Sequence, residues 1–85
     1  MLEFKSNRKY YFAEKVGRKP NTVREVEETD PRYKKLMELV EHTEFEWGLK
    51  EMIRIRLTEN PELCFMRQIK HVCKFKGLFI ISWRA

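Results

Sequence analysis

Cysteine, glycine and proline are all scarce in this 85-residue sequence, at two, three and three residues. So few glycines and prolines exclude a flexible linker or a low-complexity tail, and residues 1–85 are expected to form one domain. Cys64 and Cys73 have neither CxxC spacing nor a paired histidine motif, which argues against zinc or any other metal centre and leaves both expected as buried, reduced thiols. No apolar run approaches the roughly 20 residues that span a bilayer. The opening Met1-Leu2-Glu3-Phe4-Lys5 is charged at once, unlike a signal peptide, so a cytoplasmic protein without membrane contact is expected.

The composition that is present suffices for a modest core. Hydrophobic residues make up 42% and aromatics 13% of the chain, enough to fold without a metal or disulfide staple. The net charge of +5 is unevenly placed. Residues 1–26 carry seven Lys/Arg against three Glu, residues 27–62 carry six against ten acids, and residues 63–85 carry five and no acid. If the first and last strands pair, the two basic ends merge into one positive face, which would suit an anionic partner.

Leu2 to Lys5 reads as a short strand and Tyr10 to Val16 as a helix of a turn or two ended by Gly17, with Tyr11, Phe12 and Val16 at the spacing of one buried face. Tyr10 falls off that face, where its ring could stack on a nucleobase. Asn21 to Val26 is expected to be extended. Asp30 as N-cap and Pro31 at the first helical position start an acidic helix, Asp30–Glu46, with Leu36, Leu39, Val40 and Tyr33 on its apolar stripe and His42 near its end. Ile53, Ile55 and Leu57 alternate with Arg54 and Arg56, which describes a strand with one buried and one cationic face. Asn60-Pro61-Glu62 is expected to turn the chain into a long strand, Leu63 to Phe75. Phe65 and Ile69 share a face that Val72 would leave, so an extra residue near Lys70-His71 must restore the phase. Gly77 turns the chain into Leu78–Trp83, an apolar run that reads as a central strand buried on both sides. The fold class is therefore α+β, a small curved barrel with two helices. Its expected core is Phe4, Phe12, Leu36, Val40, Ile53, Ile55, Ile69, Phe79 and Ile81.

The octapeptide Gly17-Arg18-Lys19-Pro20-Asn21-Thr22-Val23-Arg24 concentrates three cations and a hydroxyl between two regular elements. Gly17 can take positive φ and Pro20 cannot continue a helix, so a fixed loop enters a strand here. Thr22 and Arg24 then share a face, with Lys19 close by. Such a cluster suits an anion. It would also suit an activated threonine if Lys19 served as its base.

These residues carry a resemblance. An aromatic helix, Gly-x-Lys-x-x-Thr-x-Arg, and strands ending in an apolar strand resemble the ASCH domain, a PUA-like β-barrel superfamily associated with RNA. Gly17 through Arg24 is similar to the motif of the small acetylcytidine amidohydrolases, where a lysine and a threonine three residues apart are catalytic. The longer string Phe12 to Arg24, together with Gly77 to Trp83, more closely resembles short proteins encoded by phages and prophages, which would place this one in the host cytoplasm. The resemblance implies a PUA-like barrel over the whole chain. Carried over to the amidohydrolases, it would make Thr22 the nucleophile, Lys19 its base and Arg24 an anion or carbonyl binder. That family also places a glutamate in an excursion that would fall between Val72 and Gly77, yet no acid follows Glu62; Glu59 and Glu62 are the nearest substitutes.

Three functions are therefore in contention. A nucleic-acid or nucleotide-binding module would use Arg18, Lys19, Arg24, Arg54 and Arg56 on phosphates, and Asn21 and Thr22 on a base or ribose. A small amidohydrolase would act on a modified nucleoside through Lys19 and Thr22. A phage accessory protein inhibiting a host protein would use the acidic helix with Phe45 and Trp47. Binding is the preferred reading, without a cofactor, in a monomer or dimer.

Overall fold

A computed structural model describes residues 1–41 and 51–84. Seven elements follow in order: β1 (Leu2–Ser6), α1 (Arg8–Lys15), β2 (Asn21–Glu25), α2 (Arg32–Glu41), β3 (Met52–Leu57), β4 (Asn60–Phe75) and β5 (Leu78–Trp83). They build one mixed five-stranded sheet in the order β1-β3-β4-β5-β2, parallel between β1 and β3 and antiparallel elsewhere.

The shape of the sheet comes from β4. The first part of this 16-residue strand pairs with β3, the remainder with β5, and the register shifts between Ile69 and His71. The extra residue bends the strand and keeps Phe65, Ile69 and Val72 on the inner face, as the phase of the sequence requires. The β3–β4 connection departs from expectation. The turn is Thr58-Glu59, Asn60 already pairs with Leu57, and the register slips before Arg56 meets Cys64. Pro61 sits in that slip, where its missing N–H costs no ladder bond, and its carbonyl accepts from Arg56 Nη1 at 2.9 Å.

Inner residues alternate on β1, β3 and β5: Leu2 and Phe4; Ile53, Ile55 and Leu57; Phe79, Ile81 and Trp83. The β5 run is interior to the sheet but buried on one face only, since Leu78 is exposed and Ile80 and Ser82 are half-buried. α2 packs on β4 and closes the core with Leu36 and Leu39, while Tyr33 and Val40 are partly buried beside them. Its start is as expected. Asp30 Oδ1 accepts the Arg32 N–H at 2.9 Å and the Asp30 carbonyl accepts the Tyr33 N–H at 3.0 Å. α1 packs on β1 and β3 with a different face from the one expected. Tyr11 and Glu14, three residues apart, point inward, whereas Phe12 is 41% and Val16 65% exposed. Tyr11 meets Phe65 edge-on at 5.3 Å and Phe65 meets Trp83 at 6.3 Å, while Phe12 packs edge-on against Tyr11 at 5.1 Å from the exposed side.

The sheet is not closed into a barrel, and the first and last strands do not pair. β1 and β2 are its two edges, and side chains rather than a backbone ladder cross the seam between them. On β1, the carbonyls of Glu3 and Lys5 accept from Arg32 Nη1 at 2.8 Å and Arg24 Nη1 at 2.7 Å. Two guanidinium groups thus satisfy edge carbonyls that would otherwise invite another strand. The cysteines are both free, but Cys64 is exposed and Cys73 half-buried rather than buried. Among the described residues no helix is long and apolar enough to cross a membrane. His42, Phe45, Trp47 and the expected continuation to Glu46 of the acidic helix lie outside the described residues.

Candidate functional site

The octapeptide is shaped by what precedes it. Asn7 caps α1, its side chain accepting the Tyr10 N–H at 3.2 Å. Gly17 ends the helix at φ 85°, a left-handed conformation that favours glycine. The Lys19 N–H then donates to the Ala13 carbonyl at 3.1 Å, folding the loop back along the helix, and the Pro20 carbonyl accepts from the Trp83 N–H at 3.0 Å, pinning it to β5. Folded back in this way, Lys19 lies above Glu14. Its Nζ donates to Glu14 Oε2 at 3.4 Å and to the Asn21 carbonyl at 2.9 Å.

Glu14 corrects the sequence reading, which found no acid for this site. It is 1% exposed, and its other oxygen, Oε1, accepts from Ser6 Oγ at 2.8 Å. A carboxylate so deep is tolerable because each oxygen has a donor and one donor is cationic. The suggested substitutes do not reach it: Glu59 pairs with Arg8 at 3.5 Å on the surface and Glu62 is exposed. The signal available in the sequence was the three-residue spacing from Tyr11, which puts Glu14 on the inner face of α1 once Phe12 is excluded from it.

Thr22 and Arg24 share the inner face of β2, as the period of two requires. Arg24 Nε donates to Thr22 Oγ1 at 2.9 Å, Nη2 to Ser6 Oγ at 2.6 Å and Nη1 to the Lys5 carbonyl. Three of its five N–H groups are thereby committed. Burial, with Arg32 nearby, pulls Arg24 below the ordinary guanidinium value, while the Glu14 carboxylate works the other way. Arg24 is therefore chiefly a brace between β1 and β2. Thr22 is 2% exposed, and because its oxygen accepts from Arg24, its own O–H is left to donate.

These residues surround one concave pocket of about 490 Å³, lined by Lys5, Ser6 and Asn7 from β1 and the α1 cap, Tyr10 and Glu14 from α1, and Lys19, Thr22, Val23 and Arg24 from the loop and β2. The volume falls within the roughly 300–1,000 Å³ of small-molecule sites. The half-exposed Tyr10 ring stands at the opening, with Lys19 Nζ 5.6 Å from its centroid. The donors on offer include the Lys5 ammonium, the third N–H of Lys19, the Thr22 hydroxyl and two N–H groups of Arg24, and Glu14 is an acceptor. That set matches a ligand presenting carbonyl or phosphate oxygens beside an N–H donor.

Of the residues singled out from sequence, Lys19, Thr22 and Arg24 converge here. Asn21 contributes its carbonyl to Lys19, and Arg18 is exposed on the loop outside the lining. Arg54 and Arg56 alternate with the buried residues of β3 and so project from the other side of the sheet. Arg56 is paired with Glu3, whose carboxyl it holds below the usual range, and Arg54 Nη2 lies 3.9 Å from Met66 Sδ. The single merged cationic face is thus not formed, because β1 and β5 do not pair. Among the described residues no three His, Cys, Asp or Glu side chains gather as metal ligands. Compared with known proteins, the chain matches no family model and no curated protein.

Proposed function

We propose that the chain is an RNA- or nucleotide-binding module of the ASCH/PUA-like type, and that its pocket takes a single nucleoside unit. The observation that carries this reading is the convergence of Lys19, Thr22 and Arg24 with Glu14 and Tyr10 around one hollow. Tyr10 offers a face for stacking, Lys19 and Thr22 donate to base carbonyl oxygens, and Glu14 accepts from an exocyclic amine or ribose hydroxyl. The curved sheet with two edges held together by side chains would be an opened variant of the barrel that the resemblance implies. Titrating the ¹⁵N-labelled protein with short single-stranded RNA and with each ribonucleoside tests the reading. Amide shifts should cluster at Tyr10, Glu14, Lys19 and Thr22, and shifts confined to Arg54 and Arg56 would instead locate binding on the outer face.

A second reading, hydrolysis of an acylated nucleoside, is favoured by the 3.4 Å contact between Glu14 and Lys19, which supplies the acid otherwise missing beside the lysine and threonine. In it Thr22 Oγ would add to the amide carbonyl, the proton shed by its hydroxyl would leave on the amine as the C–N bond breaks, and water would then cleave the acyl-threonine ester to release the acid and restore the hydroxyl. It ranks second because Lys19 donates to Glu14 and the Asn21 carbonyl, not to Thr22, so no base is set on the hydroxyl.

A further inference from the structure

A second hollow of about 370 Å³ adjoins the first along the open seam, lined by Glu3, Phe4, Lys5, Arg24, Glu25 and Arg32. Lys5 and Arg24 belong to both. From this continuity we infer that the ligand is longer than one nucleoside: a single strand crosses the seam, with one base in the first hollow, the connecting phosphodiester on Lys5, and the neighbouring base stacked on Arg32 in the second. The inference rests on the nucleotide-binding reading of the first hollow.

Arg32 is suited to stacking rather than to gripping phosphate. Nε and Nη2 donate to the two Asp30 oxygens at 2.9 and 2.6 Å, and Nη1 donates to the Glu3 carbonyl at 2.8 Å. All three guanidinium nitrogens are thereby held. The group lies 4.3 Å from the Phe4 ring centroid and its side chain is 36% exposed. With three of its five N–H groups committed and its position fixed, what it chiefly presents is a rigid cationic plane, the kind of surface on which an unpaired base stacks. Lys5 supplies what Arg32 does not. It is exposed at the junction, and among the described residues its ammonium has neither an ion pair nor a hydrogen bond. The acids beside it are partly spoken for, since Glu3 is paired with Arg56. A phosphodiester oxygen is the natural partner for a cation placed between two base-sized hollows.

The test compares, for each base, the ribonucleoside, its 3′- and 5′-monophosphates and the matching homodinucleotide, by calorimetric titration of wild type, Lys5→Gln and Arg32→Gln. The dinucleotide should bind about tenfold or more tightly than the nucleoside. Lys5→Gln should remove most of that gain, weakening the dinucleotide several-fold more than the nucleoside, whose pocket Lys5 also borders. Arg32→Gln should keep the gain from adding a monophosphate and lose the gain from adding the second base. Because Arg32 also holds Asp30, the Lys5 variant, altered only on the surface, decides if the other folds poorly. Nucleoside binding with no gain for the dinucleotide, or a Lys5→Gln loss equal for both ligands, overturns the inference and leaves the single-unit pocket standing. No binding of any of these probes overturns both.

Discussion

Arg24 should stabilise the fold as much as it serves a ligand. Arg24→Met keeps the aliphatic stem but removes the guanidinium lying 5.2 Å from the Phe4 ring centroid, and with it the hydrogen bonds to Thr22, Ser6 and the Lys5 carbonyl. A bond to a charged group is worth about 1.5–3 kcal/mol in isolation, so simple addition would give an implausibly large total. Two effects reduce it. Burial of the cation, visible in its lowered pKa, already costs part of the gain, and two of the three orphaned groups are not stranded, because Ser6 still donates to Glu14 and the Lys5 carbonyl lies where water can reach it, which leaves only the buried Thr22 hydroxyl without its partner. A loss of about 2–3 kcal/mol is expected, which in a domain of this size lowers Tm by about 8–24 °C. Arg24→Lys should recover less than half, since one ammonium cannot span acceptors on two strands as the planar fork does. Urea unfolding followed by far-ultraviolet circular dichroism measures both. An Arg24→Met variant within about 0.5 kcal/mol of wild type, or full recovery by lysine, would refute the view that this side chain braces the seam.

Other outcomes follow from the same geometry. Glu14→Gln should cost about 1–3 kcal/mol in the same assay, because the amide oxygen can still accept from Ser6 but its NH₂ would face the Lys19 ammonium; Lys19→Met added to it should recover part of the loss. Asp30 is held at about 2, below its ordinary 3.8, by hydrogen bonds from Arg32. A depressed acid contributes stability that is complete above 3.8 and lost as pH falls through about 2, so wild type should lose stability across that window relative to Asp30→Asn, as seen in acid titrations of both proteins. Purified protein should show no turnover of acetylated cytidine above background in chromatographic assays; turnover abolished by both Thr22→Ala and Glu14→Gln would raise the hydrolytic reading above the binding one. Phe12→Ser should change stability by less than about 1 kcal/mol, whereas Tyr11→Ala, emptying a fully buried position, should cost about 3–5 kcal/mol.

Local periodicity made much of the fold legible. The alternation of Ile53, Ile55 and Leu57, the phase slip before Val72, and the stop at Gly17 each depend on residues near in sequence, and each is present in the structure. What was not legible depends on pairing at long range. Nothing in the first strand says that it runs parallel to β3 instead of joining β5, and that choice leaves the barrel open and keeps the two basic ends apart, while Arg54 and Arg56 face away from the pocket by their alternation with the buried residues of β3. α1 misled for a related reason. A short aromatic helix offers two plausible apolar faces, and Tyr11 turns inward where Phe65, itself packed on Trp83, meets it. Glu14 then turns inward with it, so the acid sought late in the chain comes from before the motif. Lys19, Thr22 and Arg24 were recognisable together because a loop and a strand of period two bring them within reach of one another without help from the rest of the chain.

The most direct test of the central claim is fluorescence anisotropy of a short single-stranded RNA against salt, for wild type, Lys19→Ala and Lys34→Ala. Lys19 lines the pocket, whereas Lys34 is exposed on α2 and outside that lining. Affinity should fall as salt rises, because each neutralised phosphate releases counterions. Lys19→Ala should weaken binding about 10–100-fold and Lys34→Ala by less than about twofold. Equal losses for the two lysines, or no binding at low salt, would contradict the assignment of this pocket to a nucleotide.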